Sequence, residues 1–277
     1  MSSPIPEGMI RLGEPVPTRT YLRQLWDRRD YLREVPLQQV RSAHLDTVLG
    51  NLWHLINPAL QMAIYFLVFG VMLGTDRGVD NFILFLTLGM LPFRWFANTV
   101  QAGAIAITGN IGLIRAIRFP RAVLPLSVYI EKVIGFLPSL AVMLMVAIVT
   151  GESLSFRWLL AVLPLVSIAL TGLGGTFIAA RLTHQVGDVR QLLPFLFRLM
   201  FYVSGILYLP EAFIDDDNLL TLFAVNPAYS AISGLRWAIM DTALRPEHIV
   251  SMIVWPLVLM PLGFAFFRRA EEDYGRG

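Results

Sequence analysis

Six long stretches of this chain are almost free of charge, and each is close to 20 residues: Leu52–Leu73, Phe82–Ile107, Leu124–Thr150, Trp158–Ala180, Leu192–Leu209 and Ile249–Phe267. A helix of that length crosses roughly 30 Å, the thickness of a bilayer's hydrocarbon core. A water-soluble fold of 277 residues cannot hide six such runs. The expected fold is an all-α membrane protein with six transmembrane helices. Composition agrees, with 56% hydrophobic and 15% charged residues, against about 45–50% and 25% in ordinary soluble domains.

Charge sorts by side. Seven arginines from Arg11 to Arg41 precede the first stretch, and Arg115, Arg118 and Arg121 lie between the second and third. Arg181 and Arg190 separate the fourth from the fifth, and Arg268, Arg269 and Arg276 follow the sixth. The alternate side holds only Arg77, Arg157, Arg236 and Arg245, so fifteen basic residues face four. The positive-inside rule then predicts both termini in the cytoplasm of a multi-pass inner-membrane protein. The first 20 residues hold no apolar core of signal-peptide type. The net charge of +2 is a topology signal and calls for no nucleic-acid partner.

Outside the spans, residues 1–18 are rich in proline and glycine and read as a disordered tail. Residues 19–50 alternate apolar and charged positions at helical spacing, as in an amphipathic pair of interface helices, with Pro36 expected to divide them. A six-span domain fills 51–277. Its outer segment, 210–247, contains two apolar runs too short to cross, joined at Asn226-Pro227. These suit short re-entrant helices before the last span. A pair of surface helices is the alternative.

Several chemistries are excluded. A P-loop needs lysine beside Ser or Thr, and the only lysine is Lys132, between Glu131 and Val133. This chain carries no Walker-type ATP site, so ATP energy must come from another subunit. There is no cysteine, and the four histidines have no metal-ligand spacing. No span supplies a histidine base to a serine, so no catalytic residue is assigned. Charge within the spans is sparse: Arg94, Glu131, Lys132 and Arg198. Adjacent Glu131 and Lys132 point about 100° apart on a helix, so simple mutual neutralisation is not expected. Arg94 lies near mid-span, where a buried, paired or cavity-facing arginine is expected on cost grounds.

The stretch TGNIGLIRAIRFPRAVLPLS at 108–127, with LTLGMLPFRWFANTVQAGA before it, resembles the permease subunits of type-2 ABC exporters of polysaccharides, such as O-antigen, teichoic-acid and galactan exporters. LGNLW at Leu49–Trp53, Pro58, and Asn226-Pro227 followed by Arg236 extend the likeness over nearly the whole chain after residue 20. RSAHLD at Arg41–Asp46 departs from it.

The resemblance implies a homodimer bound to two copies of a separate ATP-binding subunit, with ATP and Mg there and no cofactor in this chain. It implies a coupling loop at 108–123, with Ile114, Arg115, Ile117, Arg118 and Phe119 meeting that subunit. The implied cargo is a lipid-linked glycan. The arginine-rich, lysine-poor composition adds the expectation of a cell-wall galactan. Phe93, Arg94, Trp95, Phe96, Phe195, Phe197, Phe201 and Tyr202, in the second and fifth stretches, are candidates for a substrate path. Sugar C–H edges slide over ring faces; packing within the protein or against lipid is the competing reading. A drug or lipid permease, and a membrane-embedded enzyme of glycan or lipid metabolism, are the rival functions.

Overall fold

The computed structural model describes residues 17–42, 49–72, 79–271 and 273–275. Residues 1–16 of the expected tail, and most of Arg41–Asp46, lie outside them. Among the described residues there is no strand. Two short helices come first, α1 (Thr18–Asp27) and α2 (Arg29–Ser42). The long ones are α3 (Trp53–Tyr65), continued by a π-helical turn to Met72; α4 (Phe82–Ala104); α6 (Val123–Val149); and α7 (Val162–Gln185), entered through a 3₁₀ stretch from Phe156. Between α4 and α6 sits the short α5 (Ile111–Ala116). The chain then forms α8 (Val189–Val203), α9 (Asp217–Ala224), α10 (Pro227–Met240) and α11 (Pro246–Arg269).

Five of these units are long and apolar enough to cross a membrane: Trp53–Met72, Phe82–Ala104, Val123–Val149, Phe156–Gln185 and Pro246–Arg269. Their bounds fall within a few residues of the apolar stretches. The fifth stretch, Leu192–Leu209, behaves differently. Helix α8 stops at Val203 after 15 residues, about 22 Å of rise. The chain turns at Ser204-Gly205, where Gly205 adopts φ +56°, a conformation that favours glycine. Pro36 also corrects an expectation. It lies buried inside α2, and the break between the first two helices falls at Arg28. The lost N–H is tolerated because α2 is held by packing along α6.

Helix α4 is the hub. Leu84, Phe85, Leu86, Leu88 and Met90 are essentially inaccessible, so this helix is enclosed on all sides by α6, α7, α8 and α10. In lipid, close packing takes over from hydrophobic exclusion as the driving force, and small residues let backbones approach. The α7–α11 crossing illustrates this. A Cβ on Gly174 would sit 2.4 Å from the Leu259 carbonyl oxygen, and one on Gly263 would sit 2.4 Å from that of Gly174. Helix α3 is the opposite of α4. Leu60, Ile64, Leu67 and Val71 are all exposed along it.

Helix α10 is not a surface helix. Its Asn226 cap accepts from Ala228 N–H at 3.0 Å and donates to Ser204 Oγ at 2.9 Å. Proline at the next position suits a first turn that needs no N–H. Behind it Arg236 is 2% exposed. It donates to the carbonyls of Gly205 (2.8 Å), Ile206 (3.1 Å) and Phe85 (3.1 Å), and its guanidinium lies over the Phe85 ring. The break after α8 frees Gly205 and Ile206 carbonyls inside the bundle, and Arg236 satisfies them.

Candidate functional site

Helix α5 and the loop after it, with the ends of α7 and α11, carry Arg115, Arg118, Arg121, Arg181 and Arg268 and form a basic end with its own small core. Tyr21 and Leu25 of α1, Ile107, Ile114, Phe177, Phe267 and Tyr274 pack there. Glu271 is the tie. One carboxylate oxygen accepts from the Arg121 N–H at 2.8 Å and from Tyr21 Oη at 2.8 Å, while Ala122 N–H donates to Tyr21 Oη at 3.2 Å. Burial pushes the Glu271 carboxyl above the usual carboxylate range, and burial beside that carboxylate pushes the Tyr21 hydroxyl well above its own. The loop after α5, the first helix and the chain's last turns are thus locked to one another.

The coupling candidates divide on this platform. Ile114 faces inward and is 6% exposed, and Phe119 is half-buried against the same core. Arg115, Ile117 and Arg118 stand out, with Ile117 52% exposed. Ile117 leaves α5 in extended conformation, φ −137° and ψ 151°, which carries the side chain off the helix. The exposed isoleucine stands between two exposed arginines on a packed base, a projection that is apolar at the centre and cationic around it.

The path candidates divide too. Phe93 and Phe96 of α4 interlock with Phe197 and Phe201 of α8, at ring separations of 6.4 Å (Phe93–Phe197), 5.6 Å (Phe93–Phe201) and 5.5 Å (Phe96–Phe197). These edge-to-face contacts join two helices inside one chain. Phe195 and Tyr202, on the same α8, are 66% and 56% exposed. One stretch therefore holds both mortar and open surface.

Arg94 and Trp95 belong elsewhere. They line an open cavity of about 270 Å³ between α2, α3, α4 and α6. Asn57 and Gln61 of α3, Asn98 of α4, and Glu131 and Lys132 of α6 line it as well. The polar residues recur at i and i+4, as Asn57/Gln61 and Arg94/Asn98, so each helix turns a polar stripe to the same space. At the rim, the His54 ring meets the Val40 carbonyl at 3.2 Å, joining α3 to α2. Trp95 stacks on Phe136, 4.4 Å apart and nearly parallel. Glu131 and Lys132 do pair, at 2.8 Å. The long lysine arm bends across the 100° step and overrides the expectation from helix geometry. Arg94 has no hydrogen-bond or ion-pair partner among the described residues.

Asn57, Gln61, Asn98 and Glu271 are not among the candidates that the sequence offers. The i, i+4 recurrence of amides in otherwise apolar helices was the available signal. Sparse as they are in each span, the polar groups of α3, α4 and α6 converge on this one cavity. It holds a guanidinium, an ammonium, an indole N–H, amides that can donate or accept, and one carboxylate engaged by Lys132.

A bundle whose five longest helical units are long and apolar enough to cross a membrane, with a projecting basic loop, is the architecture of a multi-pass membrane protein. The match to the ABC-2 type transporter family covers residues 38–240, and the chain belongs to that family. It is similar to the O-antigen export system permease protein RfbA of Myxococcus xanthus, 28% identical over 91% of this chain and 97% of that protein. The RfbA permease of Klebsiella pneumoniae is 27% identical over 88% and 93%. The polysialic acid transport protein KpsM of Escherichia coli is 24% identical over 85% and 92%. These relatives are named as transport components rather than enzymes.

Proposed function

We propose that this chain is the membrane subunit of an ATP-driven exporter that moves a lipid-linked polysaccharide, a cell-wall galactan or an O-antigen-like glycan, across the bacterial cytoplasmic membrane. The observation that carries this reading is the likeness to O-antigen and polysialic acid permeases along about nine-tenths of the chain. Two copies work as a homodimer, each bound to a separate subunit that supplies the ATP and Mg site. The knob at Arg115, Ile117 and Arg118 docks there, and the Glu271 tie passes its movement to α1, α6 and α11. The basic end and both termini are cytoplasmic. Helix α8 and the turn after it make the sixth, shorter crossing, with α9 and α10 re-entering from the outer side. The exposed rings Phe195 and Tyr202 face the glycan path. Phe93, Phe96, Phe197 and Phe201 hold the wall behind them.

Vesicles containing this chain and its ATP-binding subunit should shield a long-chain lipid-linked glycan from external glycosidase when ATP is added on the cytoplasmic face. The chain alone should hydrolyse no ATP. Glycan movement that ignores ATP, or ATP-driven movement of short lipids alone, would reject this reading.

A further inference from the structure

The cavity around Arg94 has an unbalanced charge. Lys132 is engaged by Glu131 at 2.8 Å, which leaves one guanidinium without a counter-ion among the described residues. An arginine in a membrane span is costly unless paired or solvated. The rest of the lining adds donors. Trp95 keeps a buried indole N–H with no partner, and its stacking on Phe136 fixes the ring. Asn57, Gln61 and Asn98 make no side-chain hydrogen bond among the described residues. Beyond Glu131, which Lys132 already engages, this set holds no acceptor that carries negative charge.

We propose that this cavity binds the phosphate of a lipid headgroup, held by Arg94 with Trp95 Nε1 and the cavity amides. A phosphate offers several oxygens in the fork geometry that guanidinium matches. Uncharged sugar hydroxyls would leave the arginine uncompensated. The walls supply the case for a lipid. The same helices α3 and α6 that turn polar stripes inward carry Leu60, Ile64 and Leu137 exposed, so a seated headgroup leaves its chain on apolar surface. Helix α2, with its charged faces, closes the cavity's rim through Val40, which places the opening beside the segment best suited to the membrane interface. The exporter reading enters only in the choice of lipid, a polyprenyl carrier; the phosphate assignment stands without it.

The test is lipid retention by the full-length chain in neutral detergent, read by native mass spectrometry. The probes are undecaprenyl phosphate, phosphatidylglycerol, undecaprenol and inorganic phosphate. Undecaprenyl phosphate should be retained and undecaprenol lost. R94Q should weaken retention by about tenfold or more. W95F keeps the ring on Phe136 while deleting the N–H, and should weaken it about two- to fivefold. Retention of phosphatidylglycerol as strong as that of undecaprenyl phosphate supports the phosphate site and overturns the carrier choice. Equal retention of undecaprenol, or no change in either variant, overturns the phosphate assignment. Displacement of the lipid by equimolar inorganic phosphate overturns the lipid assignment. Because binding is read without transport, a failed glycan assay leaves this result standing.

Discussion

Two arginines lie within the apolar bundle and have opposite surroundings. Arg236 is 2% exposed and donates to three backbone carbonyls. Arg94 lines an open cavity and has no such partner. The bilayer's penalty on a buried charge allows two escapes: saturation by fixed acceptors, or access to water and ligands. Arg236 takes the first and is part of the scaffold. Arg94 takes the second and is available for recognition. The same division runs through the aromatics of α8, where Phe197 is sealed and Phe195 is open.

The severest break should come at Arg236. R236A leaves the Gly205, Ile206 and Phe85 carbonyls without this donor, each at about 1–3 kcal/mol. The expected outcome is a chain that inserts poorly or unfolds many degrees lower in detergent. R94A should shift unfolding by no more than about 0.5 kcal/mol, as at an open site. Similar melting of the two variants would erase the distinction between scaffold and recognition arginine.

Next in size is the aromatic pair. F197A removes a ring that seals α8 against α4, and should cost about 3 kcal/mol. F195A should leave unfolding unchanged and lower glycan export in reconstituted vesicles. Phe156, 92% exposed on the opposite side of the bundle from the basic end, is the control, with F156A expected to be silent in both measurements. Loss of export from F195A only in proportion to lost protein would return Phe195 to a packing role.

At the basic end the clean probe is Ile117, because Phe119 is half-buried in its own chain. I117D places a carboxylate in the proposed docking contact, and burying it unpaired costs at least about 2 kcal/mol. Pull-down of the ATP-binding subunit should fall at least about tenfold while the spans still insert. Unchanged assembly and export would leave the knob as a plain connecting loop.

The pattern of these contrasts explains what the sequence could convey. Runs of apolar residues set Phe82–Ala104 and Val123–Val149 almost to the residue, because crossing length is a property of the chain itself. Hydropathy ran across Ser204-Gly205 unbroken, since the positive φ of Gly205 leaves no trace in side-chain polarity. Phe93 and Phe195 read alike as aromatic candidates; only the neighbouring helix decides which is sealed. Asn57, Arg94 and Glu131 are separated by more than 30 residues at each step, so their shared cavity exists only once α3, α4 and α6 pack.

The smallest effect, and the finest test of fixed tie against open site, lies at Glu271. Its carboxyl is raised by burial, despite the Arg121 N–H and Tyr21 hydroxyl that stabilise the charged form. The folded protein therefore binds this proton more tightly than the unfolded chain does. Below the ordinary carboxylate range both states are protonated, and this group's contribution is fully present. It is lost as pH rises through the raised folded value. Replacing the side chain with glutamine keeps an oxygen to accept from Tyr21 and Arg121 and removes the charge. E271Q should match the parent's stability to within about 0.5–1 kcal/mol and flatten this part of its pH dependence. E271A leaves the Arg121 N–H and Tyr21 hydroxyl without their acceptor, and should cost about 1–3 kcal/mol at the acid end of the range and less as pH rises. Thermal unfolding of the three proteins between pH 4 and pH 8 separates the cases. Stability of the parent that rises across this range relative to E271Q would mean that the hydrogen bonds outweigh burial at Glu271, reversing the sign of its contribution.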